Sequence, residues 1–235
     1  VLVHGSFVGG WCWSRVVPPL EAAGHEVYAP TLTGVGERAG EATPEVGLLA
    51  HIDQITGLVE VNDLRDVVLV GHSYGGMVVA GVAGRIPERI AGIVYVDAFV
   101  PKPGQSAFDV LPWLRDAFAA QALPERPWLF APFPLEALGV EDQQIREWAT
   151  PLLTPMLWKA VEERLPVDAG DLSKVPTVFV LCARGQFFDD TAIDLRSRGI
   201  PVLTMDEGHM VHLTSPGRLA AVLIEAEDEL GRLTG

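Results

Sequence analysis

The sequence predicts an α/β fold: a mostly parallel sheet of about six strands with helices on both faces and a helical insertion over one edge. Three observations carry this. Six short apolar runs, several of them rich in β-branched residues, recur along the chain, most of them continuous rather than alternating, which marks strands buried on both faces. Helix-like stretches separate them. One long proline- and tryptophan-rich segment breaks the alternation.

The expected strands are Val1–His4, Glu26–Ala29, Val67–Val70, Ile93–Val96, Thr177–Leu181 and Val202–Met205. Between them, helices are expected over Trp13–Ala23, Val46–Glu60, Gly76–Arg85, Thr191–Arg198 and Pro216–Leu230. From Pro101 to Pro176 no strand is expected, and 11 of the 18 prolines and four of the six tryptophans fall there. This stretch reads as a helical cap, with helices over Ala107–Gln121, Glu141–Thr150 and Pro155–Leu165. The domain division is therefore a core of residues 1–100 and 171–235 and a cap of residues 101–170. Trp113, Trp128, Phe130, Phe133, Trp148 and Trp158 are candidates to line an apolar pocket; the alternative is that they form the cap's own core.

At 235 residues the chain is expected to make one domain, or one domain with an insertion. It is 49% hydrophobic and 20% charged, a globular composition that excludes a disordered or collagen-like chain. Seventeen Lys and Arg against 31 Asp and Glu give a net charge of −14. That argues against a nucleic-acid binder and against attraction to an anionic membrane. Two cysteines, Cys12 and Cys182, form no metal pattern and are too few for a disulfide scaffold. They read as structural thiols in a reducing cytosol, so the expected localisation is cytoplasmic. The chain opens at Val1 with no Met, which leaves room for a trimmed segment.

Val67–Val70 runs into Gly71-His72-Ser73-Tyr74-Gly75-Gly76, and Met77 onward starts a helix. This is Gly-x-Ser-x-Gly in the context its chemistry requires, a strand before and a helix after. The turn is tight enough to strain Ser73 and to push its hydroxyl into the cleft, and a Cβ at Gly71 or Gly75 would clash. A serine hydroxyl needs a base. On such a sheet the base follows the last strand, which makes His209 the candidate and His212 its rival. His4 and His72 stand beside strand ends in structural roles, and His25 and His51 read as surface or helix residues. Two backbone N–H groups must meet the developing oxyanion. Tyr74, after the nucleophile, supplies one, and Ser6, in the loop after the first strand, supplies the other.

These residues resemble the α/β-hydrolase superfamily, and more narrowly the small esterases related to plant methylesterases and hydroxynitrile lyases. The resemblance covers nearly the whole chain. It rests on His4-Gly5 with Gly9-Gly10-Trp11-Cys12-Trp13, on Leu32-Thr33-Gly34-Val35-Gly36-Glu37-Arg38, on the serine elbow, and on Gly208-His209-Met210. Hydroxynitrile lyases of this type carry Thr where this chain has Gly5 and Lys where it has Met210, so the resemblance points to the esterase branch.

The chain departs from the family pattern at the triad acid. Relatives place an Asp just after the penultimate strand, where this chain has Gly185. Asp189 and Asp190 follow a few residues later, in what reads as a helix N-cap. A second solution, used by some dehalogenases, puts the acid at the end of the strand after the nucleophile helix. Asp97 stands there, at the end of Ile93–Val96. Asp97 is the preferred acid, and Asp189 or Asp190 the alternative.

The resulting expectation is a serine esterase acting on a small, largely apolar carboxylic ester, with Ser73, His209 and Asp97 catalytic. Ser6 and Tyr74 form the oxyanion hole, and Phe7, Trp128 and Met210 contact the substrate. No metal and no cofactor are expected. The expected partner is a small-molecule ester, with no nucleic acid and no membrane; a homodimer stays open. The alternatives are a hydroxynitrile-lyase-like or other carbon–carbon bond-cleaving enzyme on the same triad, or a ligand receptor that keeps the fold without catalysis.

Overall fold

A computed structural model describes residues 1–166 and 170–234. Residues 167–169 of the expected cap, and Gly235, lie outside the described residues.

Five parallel strands form the central sheet: β1 (Leu2–Val3), β2 (Val67–His72), β3 (Ile90–Val96), β7 (Thr177–Cys182) and β8 (Val202–Met205). They lie in the order β1-β2-β3-β7-β8. Pairing in register, such as Val70 against Val94 and Val94 against Val178, brings their C-terminal ends to one edge. The continuous apolar runs are explained by two-sided burial. Leu69, Ile93, Tyr95 and Phe179 pack into one core, and Val70, Val94, Val96 and Val178 into the other. On the first side lie α2 (Leu48–Val61), α3 (Gly75–Arg85) and α8 (Asp189–Ser197); on the second lie α1 (Val17–Ala22), α9 (Val211–Thr214) and α10 (Pro216–Thr234).

The sixth expected strand, Glu26–Ala29, does not form. Among the described residues its backbone link to the sheet is one hydrogen bond, from the Leu2 N–H to the Tyr28 carbonyl at 2.7 Å. The adjacent β1 is only two residues long, and Pro30 has no N–H, so no ladder can grow there.

The chain between β3 and β7 also departs from expectation. Its helices are short: α4 (Ala107–Val110), α5 (Leu114–Ala119), α6 (Gln143–Ala149) and α7 (Trp158–Glu162). The expected Ala107–Gln121 helix breaks at Leu111–Trp113 because Pro112 cannot donate to the preceding turn. Three short strands are present where none was expected: β4 (Ala122–Leu123), β5 (Arg126–Phe130) and β6 (Met156–Leu157), an antiparallel sheet in the order β4-β5-β6. Among the described residues, no helix is long and apolar enough to cross a membrane. Both cysteines are free and buried, and burial pushes their thiol pKa values up.

Candidate active site

The C-terminal edge of the sheet brings Ser73, His209, Asp97, Ser6 and Tyr74 together. β2 ends at His72, and Ser73 follows with φ 52°, a left-handed conformation that a non-glycine residue holds only under constraint. The constraint is visible. A Cβ on Gly71 would lie 2.8 Å from the Gly75 backbone across the turn, and one on Gly75 would lie 2.4 Å from the Val3 carbonyl oxygen of β1. The Ser73 carbonyl accepts from Gly76 N–H and Phe99 N–H, which ties the turn to α3 and to the end of β3. Among the described residues the Ser73 hydroxyl makes no hydrogen bond within the protein. Such contacts are often long until a substrate is bound.

His209 lies in the loop between β8 and α9, and its Nδ1–H donates to Asp97 Oδ2 at 2.6 Å. This fixes the tautomer and leaves Nε2 as the lone-pair nitrogen. Asp97 follows β3, is fully buried, and takes φ 43°, which Asp tolerates better than most residues. Its second oxygen, Oδ1, accepts from the Cys182 N–H at 3.1 Å. Both carboxylate oxygens therefore have a partner, as a buried charge requires. Gly185 stands beside this pair: a Cβ there would lie 3.1 Å from Asp97 Oδ2. The carboxylate that reaches His209 thus comes from the end of β3 into the space that an acid at position 185 would face. Asp189 and Asp190 are exposed in the first turn of α8 and take no part.

Ser6 and Tyr74 flank Ser73 from the two expected sides, and Ser6 lines the same cavity as Ser73 and His209. Their backbone N–H groups make no hydrogen bond within the protein among the described residues. Phe7 has φ 72° and its carbonyl accepts from Thr154 N–H at 2.9 Å, which anchors the loop after β1.

Buried histidines brace each part of this edge. His4 donates through Nδ1 to the Gly5 carbonyl (2.8 Å) and accepts at Nε2 from Leu32 N–H (3.0 Å). His72 donates through Nε2 to the His209 carbonyl at 2.9 Å. His51, expected at the surface or on a helix, is on α2 but fully buried: Nε2–H donates to the Thr33 carbonyl, and Nδ1 accepts from the Tyr74 hydroxyl at 2.9 Å. It is the bracing residue that sequence reasoning missed. Its position was readable, since it sits three residues after Leu48 and four before Ile55 on the apolar face of α2. Burial holds the pKa values of His4 and His51 down at about 4 and that of His212 at about 3. His212 packs on Trp13 and His72 rather than reaching the cavity. Glu207, also buried, accepts from Arg218 at 2.6 Å and Arg184 at 3.4 Å and so fixes the loop that carries His209.

Ser73 and His209 open onto a cavity of about 230 Å³ with no Asp, Glu, Lys or Arg among its described lining residues. Phe7 and Met210 line it. Trp128 does not: it is half-buried and packs against the core. Trp113 and Phe133 reach the cavity, whereas Phe130, Trp148 and Trp158 pack within the protein. Phe99, Phe118, Phe187 and Phe188 line it without having been singled out.

The model of the alpha/beta hydrolase family matches residues 1–222. A carbendazim hydrolyzing esterase of Nocardioides sp. (strain SG-4G) is 40% identical over 190 residues, which cover 77% of this chain and 78% of that protein. Methylesterase 1 of Arabidopsis thaliana is 34% identical over 259 residues, covering 97% of this chain and 95% of that one. Among solved structures, an extracellular alpha/beta-hydrolase from a Paenibacillus species shares the fold, with a TM-score of 0.83 and 24% identity over 96% of this chain and 97% of that one. A family model matched over residues 1–222, with relatives 40% and 34% identical over most of their own length, carries the conclusion that this chain belongs to the alpha/beta hydrolase family.

Proposed function

We propose that the protein is a serine esterase that hydrolyses small, largely apolar carboxylic esters through an acyl-enzyme. The observation that carries this reading is the buried Asp97–His209 pair, joined at 2.6 Å, opening with Ser73 onto one apolar cavity. Ser73 Oγ attacks the ester carbonyl while His209 Nε2 takes its proton. Asp97 holds the imidazole in the required tautomer and stabilises its charged form. The N–H groups of Ser6 and Tyr74 receive the oxyanion, a contribution of about 3 kcal/mol for each such donor in comparable enzymes. The tetrahedral intermediate collapses, the C–O bond breaks, and His209 gives its proton to the leaving alcohol. Water, activated by His209, then releases the acid and restores Ser73.

Phe7 and Met210 contact the substrate, and the described residues of the segment between β3 and β7 act as a cap that excludes water from it. Relatives that are themselves esterases support the assignment. The cyanohydrin-lyase alternative is disfavoured at Gly5, where a Cβ would already lie 2.8 Å from Ser73 Cβ and 2.9 Å from His72 Nδ1. The −14 net charge favours a small-molecule partner over nucleic acid or an anionic membrane.

A panel of methyl and aryl esters of aromatic acids, with mandelonitrile alongside, tests the reading. Ester hydrolysis that disappears in Ser73→Ala is the expected result. Cyanide release from mandelonitrile without ester hydrolysis would replace it with the lyase, and tight ligand binding without turnover would replace it with the receptor.

A further inference from the structure

The aromatic rings around the cavity fall into two groups. Phe7 meets Phe118 and Phe133 edge to face, with centroids 6.3 and 5.9 Å away. Phe187 meets the His209 ring edge to face at 5.0 Å, Phe188 stacks on it at 6.1 Å, and Trp113 stacks on Phe187 at 6.0 Å with an interplanar angle of 21°. Among the described residues no ring contact joins the first group to the second. We infer that the two groups are separate subsites and that the Trp113–Phe187 stack receives the alcohol portion of the ester and favours an aromatic alcohol. This assignment rests on the serine-esterase reading.

The chemistry fixes which portion goes where. His209 Nδ1 is committed to Asp97, so Nε2 alone can protonate the leaving oxygen, and that oxygen must come within hydrogen-bond reach of it. Beside His72, which lies 4.7 Å away at the end of β2, the rings against His209 are Phe187 and Phe188, so the alcohol departs along them. The oxyanion turns to the N–H groups of Ser6 and Tyr74, and the acyl group falls to the remaining side, against Phe7, Phe118 and Phe133.

Exposure sets Trp113 apart: Phe7, Phe118 and Phe188 are buried and Phe133 and Phe187 half-buried, whereas Trp113 is 50% exposed although it lines the cavity. An aromatic alcohol seated there extends the Trp113–Phe187 stack and covers apolar surface that otherwise faces water. It also lies nearest solvent, so it leaves while the acyl group stays on Ser73. Trp113 therefore governs acylation by aromatic-alcohol esters and has no part in deacylation.

The test compares methyl benzoate with benzyl benzoate, which share an acyl-enzyme, on the wild type, Trp113→Ala and Trp113→Phe. Trp113→Ala is expected to lose about tenfold in kcat/KM on the benzyl ester, the upper end of what an aromatic contact contributes. The methyl ester should stay within about twofold of wild type, and Trp113→Phe should keep most of the benzyl activity. The deacylation rate, the same for both esters, should not move. Equal losses on both esters, no loss on either, or a slowed deacylation would overturn the assignment while leaving the esterase reading intact. A wild-type protein that hydrolyses neither ester overturns the esterase reading and the assignment with it.

Discussion

Asp97→Asn replaces one oxygen by an amide nitrogen and removes one charge without changing the size of the side chain. Asp97 Oδ1 accepts from Cys182 N–H and Oδ2 accepts from His209 Nδ1–H, so the site demands two acceptors. Asn has one. If its oxygen keeps the Cys182 N–H, its NH₂ faces Nδ1 and forces the imidazole into the tautomer with the proton on Nε2, where it cannot accept the Ser73 proton. If its oxygen faces His209, two donors meet at Cys182 in a fully buried position, which costs about 1–3 kcal/mol. The first arrangement avoids that cost, so the wrong tautomer should dominate. The loss of turnover is expected to be about 10⁴-fold, or about 5 kcal/mol at about 1.36 kcal/mol per decade, with KM little changed. The assay is steady-state hydrolysis of whichever ester the wild type cleaves best, with circular dichroism as the folding control. Asp189→Asn and Asp190→Asn, both on the exposed first turn of α8, should behave like wild type. An Asp97→Asn protein within tenfold of wild type, or an Asp189→Asn protein that loses as much, would refute the reasoning.

Two further outcomes follow from the same geometry. Unfolded histidines protonate near pH 6.5, whereas burial holds His4 and His51 at about 4, His212 at about 3, and His72 well below its ordinary value. The unfolded chain therefore binds more protons below about pH 6.5, and stability should fall as pH drops from there towards about 4, by about 1.4 kcal/mol per pH unit for each histidine. Urea midpoints measured between about pH 7 and pH 5 should decline steeply; a flat profile would mean these histidines are not buried neutral. Gly75→Ala puts a methyl group 2.4 Å from the Val3 carbonyl oxygen, so it should cost about 1–3 kcal/mol in stability and reduce esterase activity by displacing the Ser73 turn, whereas wild-type values on both measurements would contradict the close approach.

What was legible in the sequence was whatever depends on local pattern. Strands β2, β3, β7 and β8 are continuous apolar runs because the sheet is covered on both faces. The serine elbow announces itself through Gly71 and Gly75, and Asp97 is an unexplained carboxylate at the end of an apolar strand. What was not legible depends on distant partners. Arg126–Phe130 contains Pro127 and carries no alternation, and it is a strand because Ala122–Leu123 pairs with it on one side and the distant Met156–Leu157 on the other. Phe187 and Phe188 carry no local pattern that marks a cavity, yet they stand against His209 because the loop after β7 returns to the same edge. Glu26–Ala29 looked like a strand and is not one, because strand content is settled by the neighbour available to pair with and β1 offers only two residues.

The central claim is that Ser73 is an activated nucleophile, and it can be tested before any substrate is known. The folded protein is treated with a fluorophosphonate at neutral pH and the adduct is located by peptide mass spectrometry, with Ser73→Ala as the control. Rapid labelling at Ser73 and nowhere else, absent from Ser73→Ala and slowed in Asp97→Asn, is the predicted result. A folded wild-type protein that takes up no label at Ser73, or takes it up equally fast without Asp97, would contradict the account.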